Sequence, residues 1–392
     1  MPFSLYLLAL AVFVMGTSEF MLAGLISAMA TDLDVTIGVA GLLASAFAVG
    51  MVAGAPLMAA FARRWPPRVA LLVFLCAFAG CHAIGAMTSA FPVLLVTRTV
   101  SALASAGFLA VALSTATSLV PGDRKGRALS VLLSGTTIAT VAGVPAGALL
   151  GDMAGWRATF WVIAILCVPA ALGVVSSIPS RPLGSAPGAR PPALRDELRL
   201  LLVSPQLILM MTLGALINGG TFTALTFLAP LVTENAGLAD AWVPVVLVMF
   251  GIGSFLGVTI AGRLSDRRPG LVLAVGGPLL LSGWCVLALT SAHPGILIAM
   301  VLVQGLLSFG VGSTVIARVL YAASGAPTMG GSYATAALNL GAAVGPALGA
   351  IALAIGGEPI APVWVACALV AIALAIMALS RAVLTAVVTA TG

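Results

Sequence analysis

Long apolar runs, each about as long as a lipid bilayer is thick, make up most of this sequence, and short breaks rich in charge, Pro or Gly separate them. The hydrocarbon core of a bilayer is about 30 Å thick, and an α-helix needs about 20 apolar residues to cross it. The runs lack the short alternating pattern of a transmembrane barrel, so they predict an all-α membrane protein. The breaks define twelve predicted transmembrane helices, at 4–28, 37–60, 69–88, 92–118, 128–150, 157–178, 205–232, 242–262, 271–290, 295–317, 332–355 and 362–380.

The composition excludes several classes of protein. Charged residues make up only 7% of the chain, against about 25% in a soluble domain, so no water-exposed domain can be built from it. The five cysteines lie in apolar runs and, like the two histidines, lack the spacing of a metal site. We therefore predict no metal and no cofactor. The net charge of +6 is carried mostly by short loops, which indicates membrane topology rather than nucleic-acid binding.

The basic residues also predict an orientation. The breaks after alternate helices hold nearly all of the Arg and Lys residues, whereas the opposite breaks hold Arg157 and acidic residues such as Asp32, Asp34 and Glu358. The positive-inside rule then places both termini in the cytoplasm of a multi-pass protein of the bacterial inner membrane. No Lys or Arg precedes the first apolar run, which we predict to be a spanning helix and not a signal peptide.

An internal repeat divides the chain. Phe47, Gly50 and Gly54 recur at an offset of 203 residues as Phe250, Gly253 and Gly257. Between the copies lies a break rich in Pro, Gly and Arg. We predict a six-helix bundle over 1–178, a cytoplasmic linker over 179–203 and a second six-helix bundle over 204–392. Parallel repeats of this kind are typical of transporters whose substrate site lies between the halves.

Several loops and helices carry motifs of a known family. The loop 262–270 has the sequence Gly-Arg-Leu-Ser-Asp-Arg-Arg-Pro-Gly, the matching loop 61–68 lacks its Asp, predicted helix 4 contains Arg98, and predicted helix 5 contains a Gly-rich segment ending at Gly147. The chain resembles the major facilitator superfamily, in its twelve-helix drug:proton antiporter branch. The resemblance implies that Asp266 and Arg267 gate the cytoplasmic side, and that tight packing at Gly143, Pro145 and Gly147 seals a proton leak.

A narrower resemblance covers essentially the whole chain. The segments 16–24, 134–140, 155–160 and 325–333 are similar to those of actinobacterial chloramphenicol-resistance exporters. This resemblance implies proton-coupled export of a small amphipathic drug, chloramphenicol in the first place, by alternating access. It also implies that the protein works as a monomer.

Two charged residues lie deep within the predicted spans, Glu19 in helix 1 and Arg98 in helix 4. Counted along their helices, Glu19 is roughly 22 Å from the inner face and Arg98 about 9 Å from the outer face, so both lie at a similar height. Buried ionisable groups are costly and are functional candidates for that reason. We predict that Glu19 carries the proton, that Arg98 adjusts the pKa of Glu19, and that both residues contact the substrate. A permanent ion pair that only fixes helix packing is the alternative.

Uncharged polar and aromatic residues complete the predicted substrate site. Asn218, Gln304 and Asn339 lie within apolar runs, and Phe222 follows Asn218 by one helical turn. Each amide can hydrogen-bond a drug or hold two helices together. An apolar pocket with few polar anchors fits a neutral amphipathic molecule.

Three other functions agree less well with the sequence. A transporter of a sugar or another metabolite has the same fold, but it would show more buried Asn, Gln and acidic residues. A membrane enzyme would need a catalytic motif, and none occurs in the chain. A transporter-like sensor would need a soluble signalling part. No phosphate-binding loop of the form GxxxxGK[ST] occurs either, so the sequence does not predict ATP as the energy source.

Overall fold

The computed structural model describes residues 1–178, 180, 194–239, 241–326, 329–356 and 358–391. Within helices it leaves out some side chains, namely those of Phe20, Ala23, Gly24, Ile26, Ser27, Ile37, Gly38, Val144, Pro145, Ala148, Asp152, Arg267, Pro269, Gly356 and 381–391. The predicted gating side chains of Pro145 and Arg267 therefore lie outside the description, as does most of the predicted linker 179–203.

The first set of helices begins near the N-terminus. It comprises α1 (Phe3–Asp32), α2 (Ile37–Ala62), α3 (Pro67–Met87), α4 (Phe91–Ser118), α5 (Lys125–Ile138), α6 (Val144–Ala154) and α7 (Trp156–Ser177). A π-helical segment, Ala139–Gly143, joins α5 to α6 without a break in the helix. Pro145 has no backbone N–H to continue the regular hydrogen-bond ladder, and this accounts for the irregular turn just before it.

A short helix, α8 (Leu194–Val203), leads into the second set. That set comprises α9 (Pro205–Thr226), α10 (Leu228–Pro230), α11 (Trp242–Arg267), α12 (Pro269–Thr290), α13 (Pro294–Ala322), α14 (Gly330–Gly356) and α15 (Ala361–Thr391). A second π-helical segment, Leu231–Asn235, extends the span that α9 and α10 begin. Across the described ranges the regular structure is entirely helical.

The twelve-helix prediction is confirmed. Within the described residues, ten helices are long and apolar enough to cross a membrane. The other two spans are α1, with 30 residues, and the continuous helix that α5 and α6 form together. Several helices extend beyond their predicted ends: α15 continues past 380 to Thr391, and α13 continues past 317 to Ala322. Helix 1 extends four residues beyond 28 to Asp32, where polar contacts to α7 hold its last turn.

The helices pack as two sets that meet along their inner faces. In the first set, α1 packs against α5 and α7, and α4 packs against α2 and α3. In the second, α9 packs against α14 and α15, and α13 packs against α11 and α12. Between the sets, α5 contacts α11, and α14 contacts α2 and α4. The exact boundaries 1–178 and 204–392 stay a prediction.

Glycine faces let the helices of each set approach closely. A Cβ atom at Gly147 would lie 2.9 Å from the Cβ of Met21 on α1, and one at Gly143 would overlap Thr17. In the second set, α14 presents Gly341 and Gly345 to the backbone of α9 in the same way. Small residues at such contacts allow the van der Waals packing that holds membrane helices together.

The turn between α6 and α7 depends on one glycine. Gly155 has φ +81, a conformation that residues with a side chain rarely adopt. The reversal places Trp156 and Arg157 at the start of α7, within reach of Asp32. Within the segment 155–160, Gly155 thus allows the turn, and Trp156 and Arg157 bind Asp32 at the end of α1.

Candidate functional site

A central cavity lies between the two sets of helices. Its empty volume is about 960 Å³, and its walls are mainly apolar side chains of α1, α2, α4, α5, α9, α11, α13 and α14. The polar side chains on its walls are Glu19, Ser105, Thr136, Asn218, Thr221, Ser308, Ser313 and Asn339. Among the lining residues that the structure describes, Glu19 carries the single charge.

Glu19 reaches this cavity from the middle of α1. It follows Met15 and Gly16, which line the same wall one helical turn earlier. Its side chain is half-buried. A carboxylate on the wall of this cavity is accessible to whatever enters the cavity, including water and protons.

Arg98 lies behind this wall rather than in it. Its side chain is only 1% exposed. Its Nη1 donates to the Ser18 hydroxyl at 2.9 Å, its Nη2 donates to the Ser18 carbonyl at 3.3 Å, and its guanidinium carbon lies 4.5 Å from the centre of the Phe47 ring. No direct ion pair joins it to Glu19 in the described part of the chain, although the two charges interact electrostatically.

Ser18 also contacts a histidine that the sequence analysis considered only as a metal ligand. The Ser18 hydroxyl oxygen is 2.6 Å from Nε2 of His82, and Nδ1 of His82 is 2.8 Å from the Phe78 carbonyl oxygen. His82 is 1% exposed and its ring stacks on Phe78 and Phe160. The signal was present in the sequence, since His82 is a polar residue inside an apolar run.

Three of the uncharged residues predicted for substrate binding surround the cavity: Asn218, Phe222 and Asn339. Asn218 donates to the Leu338 carbonyl at 2.8 Å and so joins α9 to α14. Asn339 donates to the Thr335 carbonyl of its own helix at 2.9 Å. Among the described residues neither amide oxygen accepts a hydrogen bond, so each can accept one from a ligand.

The fourth, Gln304, lies elsewhere. It is fully buried, its Nε2 donates to the Leu280 carbonyl on α12 at 3.2 Å, and it lines a separate smaller cavity beside Trp284. The reason is that Gly283 leaves room on α12 for the amide, so the side chain packs there instead of turning towards the centre. We do not retain it in the substrate site.

Sequence reasoning missed Ser308, which reaches the central cavity from α13. Its hydroxyl is buried and makes no hydrogen bond to any described residue. A hydroxyl in an apolar run gives little signal, because it commonly bonds to the carbonyl one turn earlier.

Two carboxylates cap helices on the side that carries the basic loops. Asp266, at the end of α11, accepts from the backbone N–H groups of Gly126 at 2.5 Å and of Arg127 at 3.1 Å. Glu197, on α8, accepts from the N–H of Met329 at 2.9 Å. Carboxylates are favourable there because the first N–H groups of a helix have no partner within it. Both contacts join segments that are far apart in the chain.

On the opposite side, Asp32 is not the free loop residue that the sequence suggested. It ends α1, accepts a hydrogen bond from Arg157, and accepts another from the Trp156 ring nitrogen at 3.2 Å. The hydrogen bond from Arg157 lowers the pKa of the Asp32 carboxyl below its ordinary value. The described residues include no group of three or more His, Cys, Asp or Glu side chains that could hold a metal ion.

Two sets of apolar helices around a central cavity define a polytopic membrane transporter. A family profile described as the Major Facilitator Superfamily matches residues 8–336. The chain belongs to this family.

Known relatives share nearly the whole chain. It is 60% identical over 385 residues to a protein of Streptomyces lividans named "Chloramphenicol resistance protein", with 98% of each chain covered. It is 34% identical to the "Inner membrane transport protein YdhP" of Escherichia coli strain K12, with 90% of each covered.

Among solved structures, the proton:xylose symporter XylE superposes with a TM-score of 0.77 at 15% identity, over 96% of this chain and 94% of that one. The human organic anion transporter MFSD10 superposes with a TM-score of 0.73 at 17% identity, over 95% of this chain and 97% of that one. At these identities the likeness establishes the fold alone.

Proposed function

We propose that this protein exports a small amphipathic drug, with chloramphenicol as the first candidate, in exchange for a proton. The observation that carries the proposal is Glu19, the one charged side chain among the described residues that line the cavity. The 60% identical relative is named a chloramphenicol resistance protein, and this supports the choice of drug.

Glu19 links the two transported species because it can hold only one of two partners. As a carboxylate it accepts strong, charge-assisted hydrogen bonds from the drug's hydroxyl and amide groups; once protonated it is a weaker, neutral acceptor, and one of its oxygens carries a donor instead. Protonation from the outside therefore releases the drug, and loss of the proton to the inside prepares the site for the next molecule. One carboxylate gives one proton per cycle.

The remaining walls suit a neutral drug with both apolar and polar parts. Val12, Leu133 and Phe222 offer apolar contact, while Asn339 and Ser308 offer an acceptor and a hydroxyl. Hydroxyls on these walls such as those of Thr221 and Ser313 donate to carbonyls of their own helices, so fewer donors remain for the many hydroxyls of a sugar, which disfavours the metabolite alternative.

The helix caps support a gate on the basic side, which we take as the cytoplasmic side. In this geometry the Asp266 carboxylate accepts a hydrogen bond from the backbone at the start of α5, and the Glu197 carboxylate accepts one from the backbone at the start of α14. We propose that both contacts break when the transporter opens inwards, that Arg267 takes part in this gate, and that Gly143, Pro145 and Gly147 seal the contact between α1 and the continuous α5–α6 helix. We further propose cytoplasmic termini, residence in the bacterial inner membrane and a monomeric transporter.

Everted membrane vesicles energised by respiration test the exchange directly. Accumulation of radiolabelled chloramphenicol is followed for wild type, Glu19→Gln and Glu358→Gln, with and without a protonophore. Glu358 is an exposed loop residue outside the cavity, so Glu358→Gln controls for the loss of a carboxylate as such. We expect accumulation that the protonophore abolishes in wild type and Glu358→Gln, and at least a tenfold loss of accumulation in Glu19→Gln.

The outcomes separate the parts of the proposal. Normal accumulation by Glu19→Gln would remove Glu19 from the coupling step. No accumulation by wild type, with the protein present in the membrane, would exclude chloramphenicol as the substrate.

A further inference from the structure

His82 is a buried titratable side chain that the exchange cycle does not use. We propose that His82, acting through Ser18, is a positioning residue that holds Arg98 away from Glu19 and so sets the pH at which the exchanger takes up its proton. This inference rests on the proposed function, since it assigns a role beside the same carboxylate.

The hydrogen bonds around Ser18 have a direction that chemistry dictates. A guanidinium can only donate, so Nη1 of Arg98 donates to the Ser18 hydroxyl oxygen. A carbonyl oxygen can only accept, so Nδ1 of His82 carries a hydrogen and donates it to the Phe78 carbonyl. In the neutral imidazole Nε2 is then the acceptor, and the Ser18 hydroxyl, 2.6 Å away, donates its hydrogen to Nε2. His82 is thus held neutral as an acceptor, and its acceptor role keeps the Ser18 oxygen turned towards Arg98.

Hydrogen bonds satisfy only part of the Arg98 guanidinium. Its Nη1 and Nη2 both bond to Ser18, whereas its Nε is buried without a partner in the described part of the chain. Glu19 is the next residue along α1 and interacts with the Arg98 charge. Arg98 therefore has two competing partners, the Ser18 group and the Glu19 carboxylate. A weaker hydrogen bond between Arg98 and Ser18 therefore strengthens the interaction of Arg98 with the Glu19 carboxylate.

His82 itself is not the proton carrier. A proton on Nε2 would end the hydrogen bond that Nε2 accepts from Ser18, and it would place a second positive charge beside Arg98 with no carboxylate between them. The titratable or charged groups near this network are Glu19 on α1, Cys81 on α3 and Arg98 on α4. From α2 and α7 the network meets the uncharged rings of Phe47 and Phe160. Arg157, which pairs with Asp32 at the end of α1, lies one helical turn before Phe160 on α7.

The test uses variants that separate shape from hydrogen bonding. His82→Phe keeps a ring between Phe78 and Phe160 and removes the acceptor, whereas His82→Gln keeps an acceptor oxygen near the Nε2 position. The full-length purified protein is mixed with chloramphenicol at a series of pH values, and the protons released are measured with a pH indicator. Thermal melting of each variant reports its folding.

We expect the pH midpoint of drug-induced proton release to move about one unit lower in His82→Phe, a tenfold change in proton concentration, because Arg98 then favours the Glu19 carboxylate. His82→Gln should stay near the wild-type midpoint. Ser18→Ala removes the shared hydroxyl and should produce the same shift, and Ser18→Ala with His82→Phe should add little to either single change.

A merely structural role would lower the melting temperature and the amplitude but leave the midpoint in place. Wild-type midpoints in both His82→Phe and Ser18→Ala would overturn the inference while leaving the proposed exchange intact. If His82→Phe does not fold, Ser18→Ala decides alone. No proton release by the folded wild type would overturn the exchange and this inference together.

Discussion

The two sets of helices are built alike but carry different chemistry. In α1–α7, Gly143 and Gly147 pack on α1; in α9–α15, Gly341 and Gly345 pack on α9. The described cavity wall nevertheless receives its charge from the first set alone, while the second set contributes amides and hydroxyls. Both sets of helices therefore pack closely at glycine faces, whereas only the first set places a charged side chain on the described cavity wall.

The difference follows from what each feature costs. Close packing stabilises any pair of membrane helices, so a helix face made of small residues is favourable in both sets. An ionisable side chain at membrane depth costs free energy wherever it stands, so it persists only where it has a task. The comparison predicts that changes in the first set disturb proton coupling, and that changes in the second set disturb drug affinity.

Substituting matched glycines gives the largest expected effect of the changes that test this comparison. Ala at Gly345 would meet the backbone carbonyl of Gly219, whereas Ala at Gly143 would meet the side chain of Thr17. We expect Gly345→Ala to lower the free energy of unfolding by about 1–3 kcal/mol and Gly143→Ala by less, because a side chain can shift and a helix backbone cannot.

Thermal melting in detergent measures both glycine changes against Gly80→Ala, whose Cβ would have no neighbour within 4 Å. That control should be neutral or slightly stabilising, since Ala favours a helix over Gly. Equal melting temperatures in all three variants would show that the mirrored glycine faces are not needed for packing.

Asn339→Ala tests the second set at the cavity and should have an intermediate effect. It removes an amide from the wall while the helix keeps its backbone bonds. A lost hydrogen bond of about 0.5–1.5 kcal/mol predicts about 2- to 10-fold weaker drug affinity, with the pH midpoint of proton release unchanged. Equilibrium binding and proton release on the same sample measure the two effects; a moved midpoint would break the division between the sets.

Asp32→Asn should have the smallest effect, because the Asp32–Arg157 pair is partly exposed. The pKa of Asp32 is lowered in the folded protein by the Arg157 hydrogen bond, so its contribution is present above the unfolded pKa of about 3.9 and is lost as pH falls through the folded value. We expect a melting temperature lowered by no more than about 2 °C at pH 7.

The pH dependence provides the check on Asp32. The difference between Asp32→Asn and wild type should shrink as the pH falls below about 4, and high salt at pH 7 should shrink it as well. A difference that stays constant from pH 7 to pH 3 would show that the carboxylate charge is not its source.

Some features were within reach of sequence reasoning and others were not. The twelve spans followed from the length of the apolar runs, and Glu19 stood out because no other acidic residue lies so deep in one. The partner of Arg98 did not follow, since helical height places Glu19 and Ser18 at nearly the same level and only rotation about α1 distinguishes them. Nor does the sequence show that the Gln304 amide contacts α12, because a sequence does not show which neighbour a buried amide faces.

The sequence by itself determined that this chain spans a membrane as paired helical sets. The bilayer requires long apolar helices, and a charged side chain within it is too costly to be retained without a function. The tertiary structure decided which polar side chains meet. Only packed helices bring His82 of α3, Ser18 of α1 and Arg98 of α4 within hydrogen-bond distance, although 64 and 80 residues separate the pairs along the chain. Such contacts depend on helix rotation and tilt, which the packing of all the helices fixes together.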